Sequence, residues 1–350
     1  MKNFKFNNNI KIFTLREDSI IEDAIVCLNK SSSKIVLIID KELKFLGTIS
    51  DGDIRRGLIN GCHIIDQIKL IMHRSPVFVI ENKYNENDLE NIVKNYGLLQ
   101  IPLVSKKNIL LGLYEFGISN EINFVETPIF IMAGGRGIRL MPYTENTPKP
   151  LLEVNGKPII EHIILNAKNQ NFNNFFISVN YLSDKIKDYL GNGDRFGVKI
   201  SYIEEDTPLG TIGSIKKVQS KISSTFIVTN GDLLSDIEYK SLLKFHKSEN
   251  VMASMAVRSI KIKNKFGVVK LDGLKISGFE EKPIEKININ AGIYVFEPAV
   301  INLISANEKI DTPELFDRIR KKNGDIIAYP IYERWQDIGT PEDLMKTYDN

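Results

Sequence analysis

Cysteine is nearly absent: Cys27 and Cys62 are the only two in 350 residues. Two thiols make no disulfide framework, and both are expected to be free in a reducing cytoplasm. Long apolar runs are missing as well. None approaches the roughly 18 residues of a membrane span. The opening Met1-Lys2-Asn3-Phe4-Lys5-Phe6 has no apolar core for a secretion signal. Neither sign of charge dominates, since 46 Lys and Arg face 44 Asp and Glu for a net +2. That balance excludes a basic footprint for nucleic acid and an acidic tail. The expectation is a cytoplasmic chain with no nucleic-acid and no membrane partner. Histidine is scarce too, and His63, His73, His162 and His246 all lie outside the motifs described below. What is abundant is ordinary: 43% apolar and 26% charged residues fit a globular protein. The length leaves room for two domains or one large one.

The two parts of the chain differ in pattern. Residues 1 to about 122 read as two copies of one small unit. In the first copy a helical stretch, Ile20 to Leu28, leads to the strand Ile35 to Ile39, a turn, the strand Phe45 to Ile49 and a helix from Asp51. In the second, Asp88 to Tyr96 is helical, and the strands are Gln100 to Val104 and Ile109 to Leu113. The corresponding glycines, Gly47 and Gly112, mark an internal repeat of long period. Pro128, after Asn123-Phe124-Val125-Glu126-Thr127, marks the join. The second domain is expected over 128–350. There, strand-like runs at 129–133, 174–180, 198–203, 225–229, 251–257, 267–271 and 290–296 alternate with helix-like runs. Those helical runs fall at 158–170, 183–190, 211–221, 238–248, 298–305 and 312–322. Such alternation predicts an α/β fold, a mostly parallel sheet with helices on both faces. Ligands then bind at the carboxyl ends of the strands.

One such end carries Ala133-Gly134-Gly135-Arg136-Gly137-Ile138-Arg139-Leu140-Met141-Pro142, with Pro148-Lys149-Pro150 downstream. Three glycines in four positions after a strand let backbone approach phosphate closely. Arg136, Arg139 and Lys149 place cations around that loop. It is not a P-loop, because no Gly-Lys-Ser/Thr ends it, and its glycine spacing is not the dinucleotide fingerprint. Six more constellations follow in order. Glu204-Glu205-Asp206-Thr207-Pro208-Leu209-Gly210-Thr211-Ile212-Gly213-Ser214 follows a strand and opens a helix; its three acids read equally well as solvated loop charges. Asn230-Gly231-Asp232 ends an apolar strand, where an Asp can hold Mg2+ through oxygen or simply sit in a turn. Phe266-Gly267-Val268, Glu281-Lys282-Pro283 and Asn290-Ala291-Gly292 come next. Trp335-Gln336-Asp337-Ile338-Gly339-Thr340-Pro341 closes the series, and its Thr340 and Pro341 suit an N-cap and first helical position.

Taken together these pieces resemble the sugar-1-phosphate nucleotidyltransferases, whose signature is Gly-Gly-x-Gly-Thr-Arg-Leu-x-Pro followed by Pro-Lys-Pro-Leu. The chain departs at Ile138, where the family has Thr, and at Ile212, where it has Ala. The resemblance covers nearly all of 129–341 and implies a Rossmann-like, GT-A-like sheet. It further implies that the oxygen of a sugar-1-phosphate attacks the α-phosphorus of a nucleoside triphosphate while pyrophosphate leaves in line. By this resemblance Ala133, Gly134, Gly135, Gly137, Glu205, Pro208, Gly210 and Thr211 bind the nucleotide. Arg139 and Lys149 serve the triphosphate, and Lys282 the sugar phosphate. Gly267, Glu281 and Asn290 take the sugar hydroxyls, and Asp232 and Asp337 hold Mg2+. A carboxylate only accepts hydrogen bonds, so a Glu before Pro208 favours guanine, with its two adjacent donors, over uracil or thymine. A catalytically silent nucleotide-binding subunit would be expected to lack Arg139, Lys149 or Asp232, and all three are present.

The N-terminal repeat resembles a CBS pair, a small α+β regulatory module that often binds adenine nucleotides and dimerises. Its ribose pattern is met at Gly47, Ser50 and Asp53 and is lost in the second copy, where Glu115 and Ile118 stand instead. A helix cap at Ser50 and Asp53 accounts for the same residues. The fused arrangement resembles bacterial guanylyltransferases that activate glucosamine-1-phosphate for legionaminic-type acid synthesis. GTP with glucosamine-1-phosphate is thus the expected pair, and a homo-oligomer the expected assembly. Mannose-1-phosphate with GTP is next, then UTP or dTTP with glucose-1-phosphate.

Overall fold

The computed structural model describes residues 4–31, 33–117, 125–345 and 347. The chain divides into two compact units, Met1–Ile122 and Asn123–Asn350. The start of the expected linker, residues 123 and 124, lies outside the described residues, as does Ile118. No helix among the described residues is long and apolar enough to cross a membrane.

The first unit is built twice over. In one half the strand Thr14–Arg16 pairs parallel with Ile35–Ile39, which pairs antiparallel with Phe45–Ser50. In the other, Val79–Ile80 pairs parallel with Gln100–Val104, which pairs antiparallel with Leu110–Phe116. A helix links the first two strands each time, Ile21–Lys30 and Glu86–Tyr96. Even the irregularity repeats: the register slips before Ile39↔Phe45 in one half and before Val104↔Leu110 in the other. The two halves meet by symmetric backbone bonds, Phe45 N–H to Asn108 carbonyl (2.9 Å) and Leu110 N–H to Leu43 carbonyl (3.0 Å). Gly47 is needed for a close approach. A Cβ there would lie 2.5 Å from the His73 carbonyl oxygen, part of a chain that bridges Thr48.

The second unit carries a seven-stranded sheet. Its order across the sheet is 199–204, 174–179, 129–132, 226–230, 284–296, 253–263, 326–331. Only Ile284–Phe296 runs against its neighbours, so the sheet is mostly parallel. Apolar residues alternate between two cores. Ile129, Ile131, Phe175, Ile177, Ile227, Ile293 and Val295 face the helices Ile159–Asn169 and Tyr239–Glu249. Phe130, Phe176, Val228, Tyr294 and Phe296 face Gly213–Lys221, Pro298–Leu303 and Thr312–Lys321. Burial on both faces is why these strands read as unbroken apolar runs. Each such side chain contributes about 1.5–3 kcal/mol of burial.

Some elements differ from the sequence expectation. The stretches expected as helices at 211–221 and 298–305 form 3-10 helices, Gly213–Lys221 with a kink at Val218 and Pro298–Leu303 with Pro at its start. Gly213 and the β-branched Ile215 and Val218 favour α-helix poorly, and tertiary contacts on one face hold the tighter turns. The strand-like run at 267–271 is not in the main sheet. Val268–Asp272 pairs with Lys275–Glu280 as a separate ribbon. Ile326–Ile331 adds a strand that the pattern hid, because Pro330 interrupts it. Pro is tolerated there because this strand is the edge of the sheet.

Candidate active site

Four parallel strands end in line, and the candidate site is built at that edge. The register pairs Ser178 with Met132, Asn230 with Met132, and Val179 with Glu204. The residues that follow, Ala133, Asn180, Glu205 and Gly231, therefore emerge side by side. Gly231 N–H donates to the Met132 carbonyl at 2.9 Å, and a Cβ at 231 would come within 2.7 Å of that same oxygen. The glycine loop then leaves the buried Ala133. Nothing lies within 4 Å of where a Gly135 side chain would be, so the backbone is open there. Gly137 has φ 61° and packs against Thr144 and Lys149. Thr144 Oγ1 donates to its carbonyl at 2.8 Å, which turns the loop back over Lys149. Ile138 is 69% exposed, so the position where the family signature has Thr offers an apolar surface and no hydroxyl.

Lys149 starts a 3-10 helix after Pro148 and is only 8% exposed. Its ammonium is in ion contact with Asp232 Oδ2 and lies 4.0 Å from Asp337 Oδ1. The two aspartates meet because Leu233–Ser235 and Trp335–Asp337 form an antiparallel ribbon in which Leu233 faces Asp337. Asp232 Oδ1 is buried with no hydrogen-bond partner among the described residues. Desolvation and then the Asp232 charge push the Asp337 carboxyl above its usual range, against the opposing pull of Lys149 and Arg139. A Cβ at Gly339 would sit 3.5 Å from an Arg139 guanidinium nitrogen and 3.6 Å from Asp337 Oδ2, so Gly339 keeps the space between them clear. Two carboxylates, one with an unsatisfied buried oxygen, form a hard oxygen donor set. No group of three or more His, Cys, Asp or Glu placed to hold a metal ion exists among the described residues. A Mg2+ ion characteristically takes one or two carboxylates and completes its shell with water and substrate phosphate, so these residues fit it.

The acid-rich segment sorts itself. Glu204 pairs with Lys187 at 2.8 Å and Asp206 with Lys217 at 3.0 Å, both at the surface. Glu205 is different. Its Oε1 accepts from Ser178 Oγ (2.5 Å), its Oε2 from Leu209 N–H (2.8 Å), and its carbonyl from Asn180 Nδ2 (2.6 Å). It lies beside Gly134, whose absent Cβ would be 3.4 Å from Oε1. Pro208 is exposed. Gly210 (φ 77°) abuts the Ile310 carbonyl, and a Cβ would collide with it at 2.3 Å. Thr211 N–H donates to Asp311 Oδ1 (2.9 Å), and Thr211 Oγ1 accepts from Thr312 N–H (2.8 Å). Its polar atoms thus secure the start of the helix Thr312–Lys321.

Asn290 lies in the reversed strand, where its Oδ1 accepts from Gly292 N–H (2.9 Å) and its Nδ2 donates to Tyr294 (2.8 Å). Gly267, Glu281 and Lys282 flank the separate ribbon. Gly267 faces Glu281, with only 2.9 Å from a built Cβ to Oε2. Lys282 reaches Glu281 at 3.9 Å, with both side chains largely exposed. The structure thus brings Arg139, Lys149, Asp232 and Asp337 together and gives Lys282 no contact with that group. In the first unit, Asp53 Oδ2 accepts from Ser50 N–H (2.8 Å) and Ser50 Oγ (2.7 Å), and its Oδ1 accepts from Arg56 (2.8 Å). That is a capping box at the start of Asp51–Ile59.

Several residues of the site escaped the sequence reading. Thr144, Ser178, Asn180 and the pair Asp311 and Thr312 act by holding the loops from behind. Asn180 carried a signal, being the first polar residue after an apolar strand. The others carried none, since their partners are distant in sequence.

Residues 129–350 match the nucleotidyl transferase family model. A mannose-1-phosphate guanyltransferase of Yarrowia lipolytica is 32% identical over 61% of this chain and 61% of its own. A UTP–glucose-1-phosphate uridylyltransferase of Synechocystis is 31% identical over 62% of this chain and 61% of its own. The chain thus spans about three fifths of the length of these curated relatives. The crystal structure of HddC from Yersinia pseudotuberculosis superposes with a TM-score of 0.51 at 27% identity, covering 64% of this chain and 98% of that one. HddC complexed with GMP-PN gives 0.50 and 26% over the same shares. With a family model spanning the whole second sheet and the site at its edge, the chain belongs to the nucleotidyl transferase family.

Proposed function

We propose that this chain is a Mg2+-dependent sugar-1-phosphate nucleotidyltransferase. The observation that carries the reading is the cluster of Lys149, Arg139, Asp232 and Asp337 at the strand ends, with Asp232 Oδ1 buried and unsatisfied. Its chemistry suits joining two phosphates. The nucleophile is already an anion, so the work is positioning and the neutralising of repelling charge. Bare backbone at Gly134 and Gly135 lets phosphate approach. The Arg139 guanidinium and the Lys149 ammonium would offset triphosphate charge as pyrophosphate leaves. Asp232 and Asp337 would hold Mg2+, which supplies charge neutralisation between the donor and acceptor phosphates. Lys282, largely exposed beside Glu281, would take the acceptor phosphate, with Gly267, Glu281 and Asn290 on the sugar.

GTP is the preferred donor in this reading. Its support is the Glu205 carboxylate beside the glycine loop, the guanyltransferase relative and the GMP-PN complex of HddC. Each Glu205 oxygen has one protein donor and retains a second lone pair for guanine. Glucosamine-1-phosphate is the preferred acceptor, with legionaminic-type acid synthesis in the cytoplasm as its setting. Mannose-1-phosphate is the second reading, favoured by the Yarrowia relative. The first unit is read as a CBS pair that dimerises and takes an adenine nucleotide at Ser50 and Asp53, a reading supported by its repeated β-α-β-β halves. Pyrophosphate release across a grid of triphosphates and sugar-1-phosphates tests the function. The expected maximum is GTP with a hexosamine-1-phosphate, and no release with any pair refutes it.

A further inference from the structure

Lys149 occupies the place a cation would take. Its ammonium lies against Asp232 Oδ2 and 4.0 Å from Asp337 Oδ1, and the side chain is almost fully buried. The other oxygen of Asp232 has no partner among the described residues. Two carboxylates held side by side by a rigid ribbon repel one another, and one resident ammonium offsets part of that repulsion. A divalent ion and this ammonium cannot both sit close to Asp232 without strong mutual repulsion at low local dielectric.

We propose that Lys149 is an internal counter-ion that keeps bare divalent metal off Asp232 until a triphosphate arrives. The inference rests on the proposed function and concerns the order of events at that site. A triphosphate entering over Gly134 and Gly135 brings several negative charges to the neighbourhood of Lys149. The ammonium then has a better partner than Asp232, and Asp232 is released to the metal that accompanies the nucleotide. Metal and nucleotide bind as a unit, and the empty enzyme does not collect metal that would order the site wrongly. Lys149 thus has two partners in sequence, Asp232 when the site is empty and phosphate when it is filled. The loop geometry allows this. Gly137 packs directly on the Lys149 Cβ and fixes the stem, so only the end of the side chain need turn.

The test is binding of Mn2+ alone to the full-length chain, read by electron paramagnetic resonance without nucleotide. Wild type should bind Mn2+ weakly. Lys149→Met should tighten it on the order of tenfold or more, because a competing charge next to a half-buried carboxylate is gone. Lys149→Arg, which keeps the charge, should stay weak. The double variant Lys149→Met with Asp232→Asn should lose the gain, which ties it to Asp232. Lys149→Gln serves if melting curves show the Met variant unfolded. Equal or weaker Mn2+ binding by folded Lys149→Met overturns the proposal, and so does a gain that survives loss of Asp232. Wild-type turnover in Mg2+ separates the two readings. Turnover without the Mn2+ gain sinks the counter-ion role alone, whereas absence of both sinks the proposed function with it.

Discussion

The Ile338 N–H donates to the Asp232 carbonyl at 3.1 Å, and this backbone bond helps to set Asp232 and Asp337 beside each other. It belongs to the ribbon in which Leu233 faces Asp337. The two carboxylates are therefore positioned by backbone, and their side chains can be changed without loss of the frame. Asp232→Asn should lower turnover by at least ~100-fold, the scale for removing one electrostatic stabiliser, with an unchanged circular dichroism spectrum. A soluble, folded variant with near wild-type turnover would contradict the role given to Asp232.

Gly231 offers a test of the frame itself. A Cβ there meets the Met132 carbonyl at 2.7 Å, and backbone cannot move aside cheaply. Gly231→Ala should displace Asp232 and reduce kcat while substrate KM changes less. Steady-state kinetics check this, and an unaltered kcat would mean that the strand end is softer than its packing implies.

Glu205 joins Ser178, Leu209 and Asn180, so it does more than a base reader alone would do. Glu205→Gln exchanges an acceptor for a donor at one of those contacts. It should weaken the GTP-over-UTP preference by roughly ten- to hundredfold, the value of one or two buried hydrogen bonds. It should also loosen the 205–211 loop. Specificity constants for the two triphosphates, with proteolytic sensitivity of the loop, separate the two effects. Unchanged discrimination would leave Glu205 only its role in holding the loop.

Thr211 illustrates what a sequence hides. Its Pro-Leu-Gly-Thr motif points it toward the nucleotide, and the fold adds a partner no spacing shows: its hydroxyl accepts from Thr312 N–H across 101 positions of chain. Thr211→Val should cost about 1 kcal/mol through the lost hydrogen bond at a helix start, visible as a lower denaturation midpoint. The sheet strands, by contrast, were legible because burial on both faces writes unbroken apolar runs such as Ile129 to Met132. Glycine spacing marked the loop for the same kind of local reason. The segment 308–312 behind Gly210, the pairing of Val268–Asp272 with Lys275–Glu280 and the Glu205 contacts were not legible, since each depends on partners brought together only by the fold. The nearness of Asp232 and Asp337 was implied by family resemblance and by nothing in their spacing.

Away from the site, His246 is buried between Ser254 Oγ (2.8 Å) and Glu297 (3.2 Å), and Thr225 donates to the same Glu297 oxygen. Burial lowers its pKa from 6.5, outweighing the raising effect of Glu297, and the Lys247 charge lowers it further. The unfolded chain then binds more protons than the folded one just below pH 6.5. Stability from this group is present above that value and is lost as the pH falls toward the folded pKa. His246→Gln should flatten the acid side of the stability profile just below pH 6.5, where the wild-type midpoint declines. An unchanged slope in denaturant titrations would remove His246 as the cause.

The central claim is that a sugar-phosphate oxygen attacks the α-phosphorus and pyrophosphate departs. An oxygen-18 label on the acceptor phosphate follows it directly. With wild-type chain, Mg2+, GTP and labelled glucosamine- or mannose-1-phosphate, mass spectrometry should find all of the label in the nucleotide-sugar and none in the pyrophosphate. Label in the released pyrophosphate, or no nucleotide-sugar from any acceptor, would contradict the account.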